Sequence, residues 1–196
     1  MKFVNQLDYP HLLYTTCTKL EGAEYERGRT TTIKSSGCGL CSAVMVADRL
    51  LPNCHFDLVD AIELSYRIEA NYRRGTDYNI FAPAFAEKLG LTYEGTNDPD
   101  RLLQCLRTGG AAVAHVTARE GCVGLFTKGR HYIAVIGEEP DGRVAILDPS
   151  YCEGKYEEEG RQGKVEMKGV LAICTLPVLV EEASEPAISF HLFWRK

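Results

Sequence analysis

The sequence predicts an α+β fold, with helices gathered in its first half and strands in its second. Two observations carry this expectation. Apolar residues recur at helical spacing in four segments before residue 110, and from Ala111 the pattern changes to short apolar runs separated by turn residues. No internal repeat and no low-complexity linker breaks the chain. Its 196 residues are a length that one large core can fill. A single domain over 1–196 is therefore expected, its helical part at about 38–108 and its β-rich part at about 111–180.

The first helix follows a polar N-terminal stretch. Gly39–Leu51 carries apolar residues at 40, 43, 44, 46, 47, 50 and 51, a wide helical face that Pro52 closes, with Ser35 and Ser36 as candidate caps. Three further helical patterns follow, Asp57–Ala70, Ile80–Leu89 ended by Gly90, and Asp100–Leu106 ended by Gly109-Gly110. The runs AAVAHV, HYIAVIG, RVAILD and GVLAICTL then read as strands of one mostly antiparallel sheet. Residues 153–169 hold nine charged residues and four glycines, which predicts a solvated loop or projecting arm with no catalytic role for its charges.

Composition narrows the function. Hydrophobic residues at 45% and charged residues at 25% are ordinary for a globular protein and argue against disorder. The balance of 22 Lys+Arg against 27 Asp+Glu, net −5, gives no reason to expect nucleic acid or an anionic membrane as partner. Asp8 and Pro10 break the stretch where a leader's apolar region would lie, and the longest uncharged apolar run, residues 169–180, has 12 residues, short of a membrane span. A cytoplasmic location without membrane insertion is the expectation. The eight cysteines are scattered without a repeating interval and several lie in apolar runs, as buried thiols of a reducing compartment do; four disulfides are the alternative.

One cysteine has a chemically distinctive setting. Cys38, in SSGCGLCSAV, is placed at a helix N-terminus, where unpaired N–H groups and the positive end of the helix dipole stabilise a thiolate. Gly37 and Gly39 would let a substrate approach the backbone, and the Cys38 N–H could serve an oxyanion. Such a nucleophile needs a base. His131 opens HYIAVIG and Asp148 closes RVAILD; with a hairpin loop at 137–142, paired residue numbers sum to 279 and His131 lies opposite Asp148 on one face. A carboxylate beside an imidazole fixes its tautomer and stabilises the imidazolium. Asp148→Asn should then be milder than His131→Ala, because an amide still orients the ring. His115 is the competing base, although its place inside a strand suits a structural role; His11, His55 and His191 have no comparable setting.

The order of Cys38, His131 and Asp148 resembles the papain-like cysteine peptidases, and GCGLCSAVMV, GRHYIAVIG and VAILDPS resemble their bacteriocin-leader-processing, double-glycine peptidase-like branch. The resemblance spans about 150 residues, from Gln6 to Pro149. It implies a papain-like α+β fold and a Gln upstream of the nucleophile that completes the oxyanion hole, a place Gln6 would take. The sequence departs from the family at Leu40-Cys41, where Pro-Thr is common. The expected function is a thiol hydrolase acting on a peptide or amide bond: Cys38 as nucleophile, His131 as base and acid, Asp148 orienting His131, Gln6 at the oxyanion, and no metal or organic cofactor. Acyl transfer to an amine would use the same residues. The rival readings are a thioredoxin-like redox protein using Cys38 and Cys41, a zinc site from Cys38, Cys41, Cys54 and His55, and an inactive papain-like module that binds peptide.

Overall fold

The computed structural model describes residues 1–15, 30–71, 75–119, 121–184 and 186–196. A 3₁₀ turn at Gln6–Asp8 leads into a short antiparallel pair, β1 (Leu13–Thr15) and β2 (Thr30–Thr32). Then come α1 (Ile33–Ser36), α2 (Cys38–Leu50), α3 (Leu58–Arg67), α4 (Tyr78–Leu89), β3 (Leu91–Thr96) and α5 (Pro99–Arg107). The second half holds β4 (Ala111–Thr117), β5 (Arg130–Glu138), β6 (Val144–Leu147), β7 (Glu166–Lys168), β8 (Leu171–Cys174), α6 (Leu176–Glu182) and β9 (Phe190–Arg195). The four helical patterns thus form within two residues of the expected ends, apart from the C-terminus of α3, which stops three residues early at Arg67.

Seven strands make one antiparallel sheet in the order β3-β9-β4-β5-β6-β8-β7. The expected boundary between a helical and a β-rich part needs correcting. Strand β3 comes from the helical half, β9 lies beyond residue 180, and residues 176–182 turn into helix where Pro177 fits the first turn. The sheet is covered on both sides. Ala111, Val113, Ala134, Ile136, Ala145 and Leu147 face α2, α3 and α4, while Ala112, Ala114, Val116, Ile133, Val135, Val144 and Ile146 face α5 and α6. Burial on both faces is why these strands read as unbroken apolar runs instead of alternating ones.

Helix α2 is the central support. Ten of its thirteen residues are buried, and it lies across β5 and β4. It starts where it does because of Gly37: a Cβ there would sit 2.6 Å from the Ile33 side chain and 2.7 Å from its carbonyl oxygen. Gly37→Ala is accordingly expected to destabilise the chain by about 1–3 kcal/mol and to slow alkylation of the cysteine that follows. Urea denaturation and timed alkylation check this; unchanged values in both would mean the junction tolerates a side chain.

Candidate active site

Cys38 is the first residue of α2 and is half-buried. The candidate cap Ser35 does not cap α2; its Oγ accepts from the Thr32 N–H at 3.2 Å and belongs to the start of α1. The N-cap of α2 is Gly37, which offers no side chain, so the helix start leaves its first N–H groups to the thiol. Gly39 is not an open approach for substrate either, since a Cβ there would lie 3.0 Å from Tyr78 and 3.3 Å from Tyr132. Burial pushes the Cys38 thiol up. The hydrogen bond and charge of His131, with N–H donors from Tyr132 and Gly39, outweigh that and hold it below the ordinary cysteine range.

His131 and Asp148 meet as expected, by a different register. The observed pairs are Ala134↔Leu147 and Val135↔Ile146, numbers that sum to 281, not 279. A shift of two residues leaves every side chain on its expected face. The expected loop at 137–142 is also too long: β5 runs on to Glu138, and a bulge after Val135 moves the later pairs to Gly137↔Ala145 and Glu138↔Val144. The Ile136 carbonyl accepts from Arg49 of α2 at 3.0 Å. Asp148 therefore sits past the end of β6, diagonal to His131, with its Oδ1 2.8 Å from His131 Nε2. Ser150 Oγ is 3.1 Å from the same nitrogen. With Nε2 engaged, Nδ1 is the nitrogen left to face Cys38. Burial pulls the His131 imidazolium down, but Asp148 and Cys38 raise it to about 9. Asp148 loses contact with water, which pushes its carboxyl up, yet His131 and Lys155 hold it far below the usual carboxylate range.

Lys155 and Tyr156 were not foreseen. The segment 153–169, expected to be solvated, buries Lys155, Tyr156 and Arg161, and its end pairs into the sheet as β7. Lys155 Nζ donates to Asp148 Oδ2 at 2.5 Å and to Ser150 Oγ at 2.8 Å, and the Tyr156 hydroxyl donates to Asp148 Oδ2 at 2.7 Å. Arg161 anchors the segment through its Nε to the Gly124 carbonyl at 3.0 Å. Nothing in a run of glutamates and glycines marks which lysine turns inward. Ser150 did carry a signal, because Asp-Pro-Ser is turn chemistry in which the aspartate accepts from the N–H two residues on, here at 2.8 Å.

Gln6 ties two parts of the site together. Its N–H donates to the Pro149 carbonyl at 2.7 Å and its Nε2 to the Lys34 carbonyl at 2.7 Å, which fixes the amide's orientation. Its buried Oε1 has no partner among the described residues, and one hydrogen on Nε2 remains unassigned. His115 stacks on Tyr132 with ring centroids 4.4 Å apart; burial, then Arg130 and His131, push it down to about 4. Cys41 is fully buried, and burial with the neighbouring Cys38 pushes its thiol far up. Cys54 and His55 lie past the far end of the 13-residue α2, about 20 Å from Cys38, so the proposed zinc set does not converge. No group of three metal-ligating side chains occurs among the described residues, and none of their helices is long and apolar enough to cross a membrane. Seven cysteines are free thiols there, and Cys17 lies outside the described residues.

No protein-family model and no curated protein matches the chain. A solved structure does: the crystal structure of a "putative C39-like peptidase from Bacillus anthracis" superposes over 100% of this chain and 94% of that one, with a TM-score of 0.56 at 11% identity. The fold is α+β and papain-like. At that identity the likeness is one of architecture alone.

Proposed function

We propose that this chain is a thiol-dependent hydrolase of peptide or amide bonds, acting as a single domain through Cys38, His131 and Asp148. The observation that supports it is the placement of His131, whose Nε2 is held by Asp148 at 2.8 Å while the imidazole and the Cys38 thiol lie close enough for each to favour the other's charged form. In this reading the Cys38 thiolate attacks the carbonyl carbon. His131 gives its proton to the departing amine, and the thioester is released by water whose proton His131 takes. Asp148 keeps the imidazole in the required tautomer. The Cys38 N–H and the unassigned N–H of Gln6 Nε2 serve the tetrahedral oxyanion. His115, held neutral above about pH 5, is a poorer base. The motifs GCGLCSAVMV, GRHYIAVIG and VAILDPS favour the bacteriocin-processing peptidase-like branch, with a peptide as substrate; acyl transfer to an amine would use the same groups.

A screen of peptide and amide substrates, with Cys38→Ala as control, tests the reading. Turnover should require Cys38, and both turnover and the reactivity of unmodified Cys38 towards iodoacetamide should persist near pH 6, where an ordinary cysteine is almost wholly protonated. Because the active form carries the imidazolium, turnover should fall as pH passes about 9 and His131 loses its proton. Alkylation of Cys38 no faster than that of the exposed Cys54 and Cys122 at pH 6 would overturn the assignment.

A further inference from the structure

The strap that follows Asp148 carries a lysine whose only described side-chain partners belong to the site. Lys155 is 6% exposed, and its Nζ reaches Asp148 Oδ2 and Ser150 Oγ, the latter shared with His131 Nε2. Its ammonium also lies 5.7 Å from the Tyr156 ring. We propose that Lys155 is a positioning residue that neutralises the buried site: with the thiolate of Cys38 and the carboxylate of Asp148 set against the imidazolium of His131, it is the second cation that brings the cluster to zero net charge. The proposal rests on the reading of Cys38, His131 and Asp148 given above.

The physical reason is the cost of unbalanced charge away from water. A thiolate, an imidazolium and a carboxylate sum to −1, and a buried ion without a counter-ion costs several kcal/mol or takes up a proton instead. Lys155 removes that imbalance. By drawing on the Asp148 oxygen that His131 does not use, it also divides the carboxylate between two cations. Asp148 then orients the ring without holding its proton too firmly to be given to a leaving amine. The neighbouring groups do not supply the same charge. Burial pushes Cys41, Tyr78, Tyr132 and Tyr156 up and His115 down to about 4, so none of these changes charge between about pH 5 and 8. Arg161 contacts the Lys155 carbonyl but is paired with Glu158 at 3.1 Å.

Removing a cation favours every protonated state nearby, so the sign of the effect is fixed. In Lys155→Met, the pH midpoint for Cys38 alkylation and the midpoint of the His131 ring, followed by NMR of its nitrogens, should both rise by about one unit. Lys155→Gln keeps a donor to Asp148 without the charge and should shift both the same way, which covers the case in which Lys155→Met does not fold. Circular dichroism and thermal melting check folding of each variant. Folded variants whose two midpoints stay where the unmodified chain has them would overturn the proposal and leave Lys155 a structural partner of Asp148. His131→Ala separates that result from failure of the underlying reading: if it leaves the Cys38 midpoint unmoved, the thiol and imidazole are not paired, and both readings fall together.

Discussion

Replacing His131 with Ala is expected to lower turnover by about two to four orders of magnitude, the usual contribution of a positioned acid and base. It should also return Cys38 towards, or above, an ordinary cysteine. Burial alone pushes that thiol up, and His131 is the largest of the influences that bring it down. The two effects are separable. Turnover reports the missing proton transfer, whereas the pH midpoint of Cys38 alkylation reports the missing charge. If His115→Ala, with folding intact, proved as damaging, the base would be misassigned. His115 stacks on Tyr132, next to His131 in sequence, but is itself held neutral.

The second large effect is on stability, and it reverses an expectation. From the sequence, Asp148→Asn is a mild change, because an amide can still orient the ring of His131. In the fold, Asp148 is 1% exposed and is also the counter-ion of the buried Lys155. Asparagine would leave that ammonium uncompensated, and breaking a buried ion pair from one side costs about 3–5 kcal/mol. Asp148→Asn should therefore unfold at distinctly lower urea, with turnover falling through loss of folded protein as well as of charge. The double variant Asp148→Asn with Lys155→Met buries neither ion and should recover much of the stability. A double variant no more stable than Asp148→Asn alone would show that the penalty comes from elsewhere, such as the lost Tyr156 hydrogen bond.

What the sequence determined by itself is local. The helix beginning at Cys38 follows from Gly-Cys-Gly before a wide apolar face, and the strand that starts around His131 and the strand that leads into Asp148 follow from apolar runs bounded by turn residues. Even the common face of those two residues was legible, because an error of two in register preserves side-chain parity. What only the tertiary structure decided depends on partners distant in sequence. The bulge in β5 exposes an Ile136 carbonyl that Arg49 satisfies from 87 residues away, and β9 enters the sheet between β3 and β4, about 80 to 100 residues from either. The inward turn of Lys155 belongs to the same class. Seven residues separate it from Asp148, yet composition marks its segment as solvated, and it turns inward only where a buried carboxylate awaits a second cation. A hydrophobic pattern records which surfaces avoid water, whereas a buried charge is fixed by the charges already gathered around it.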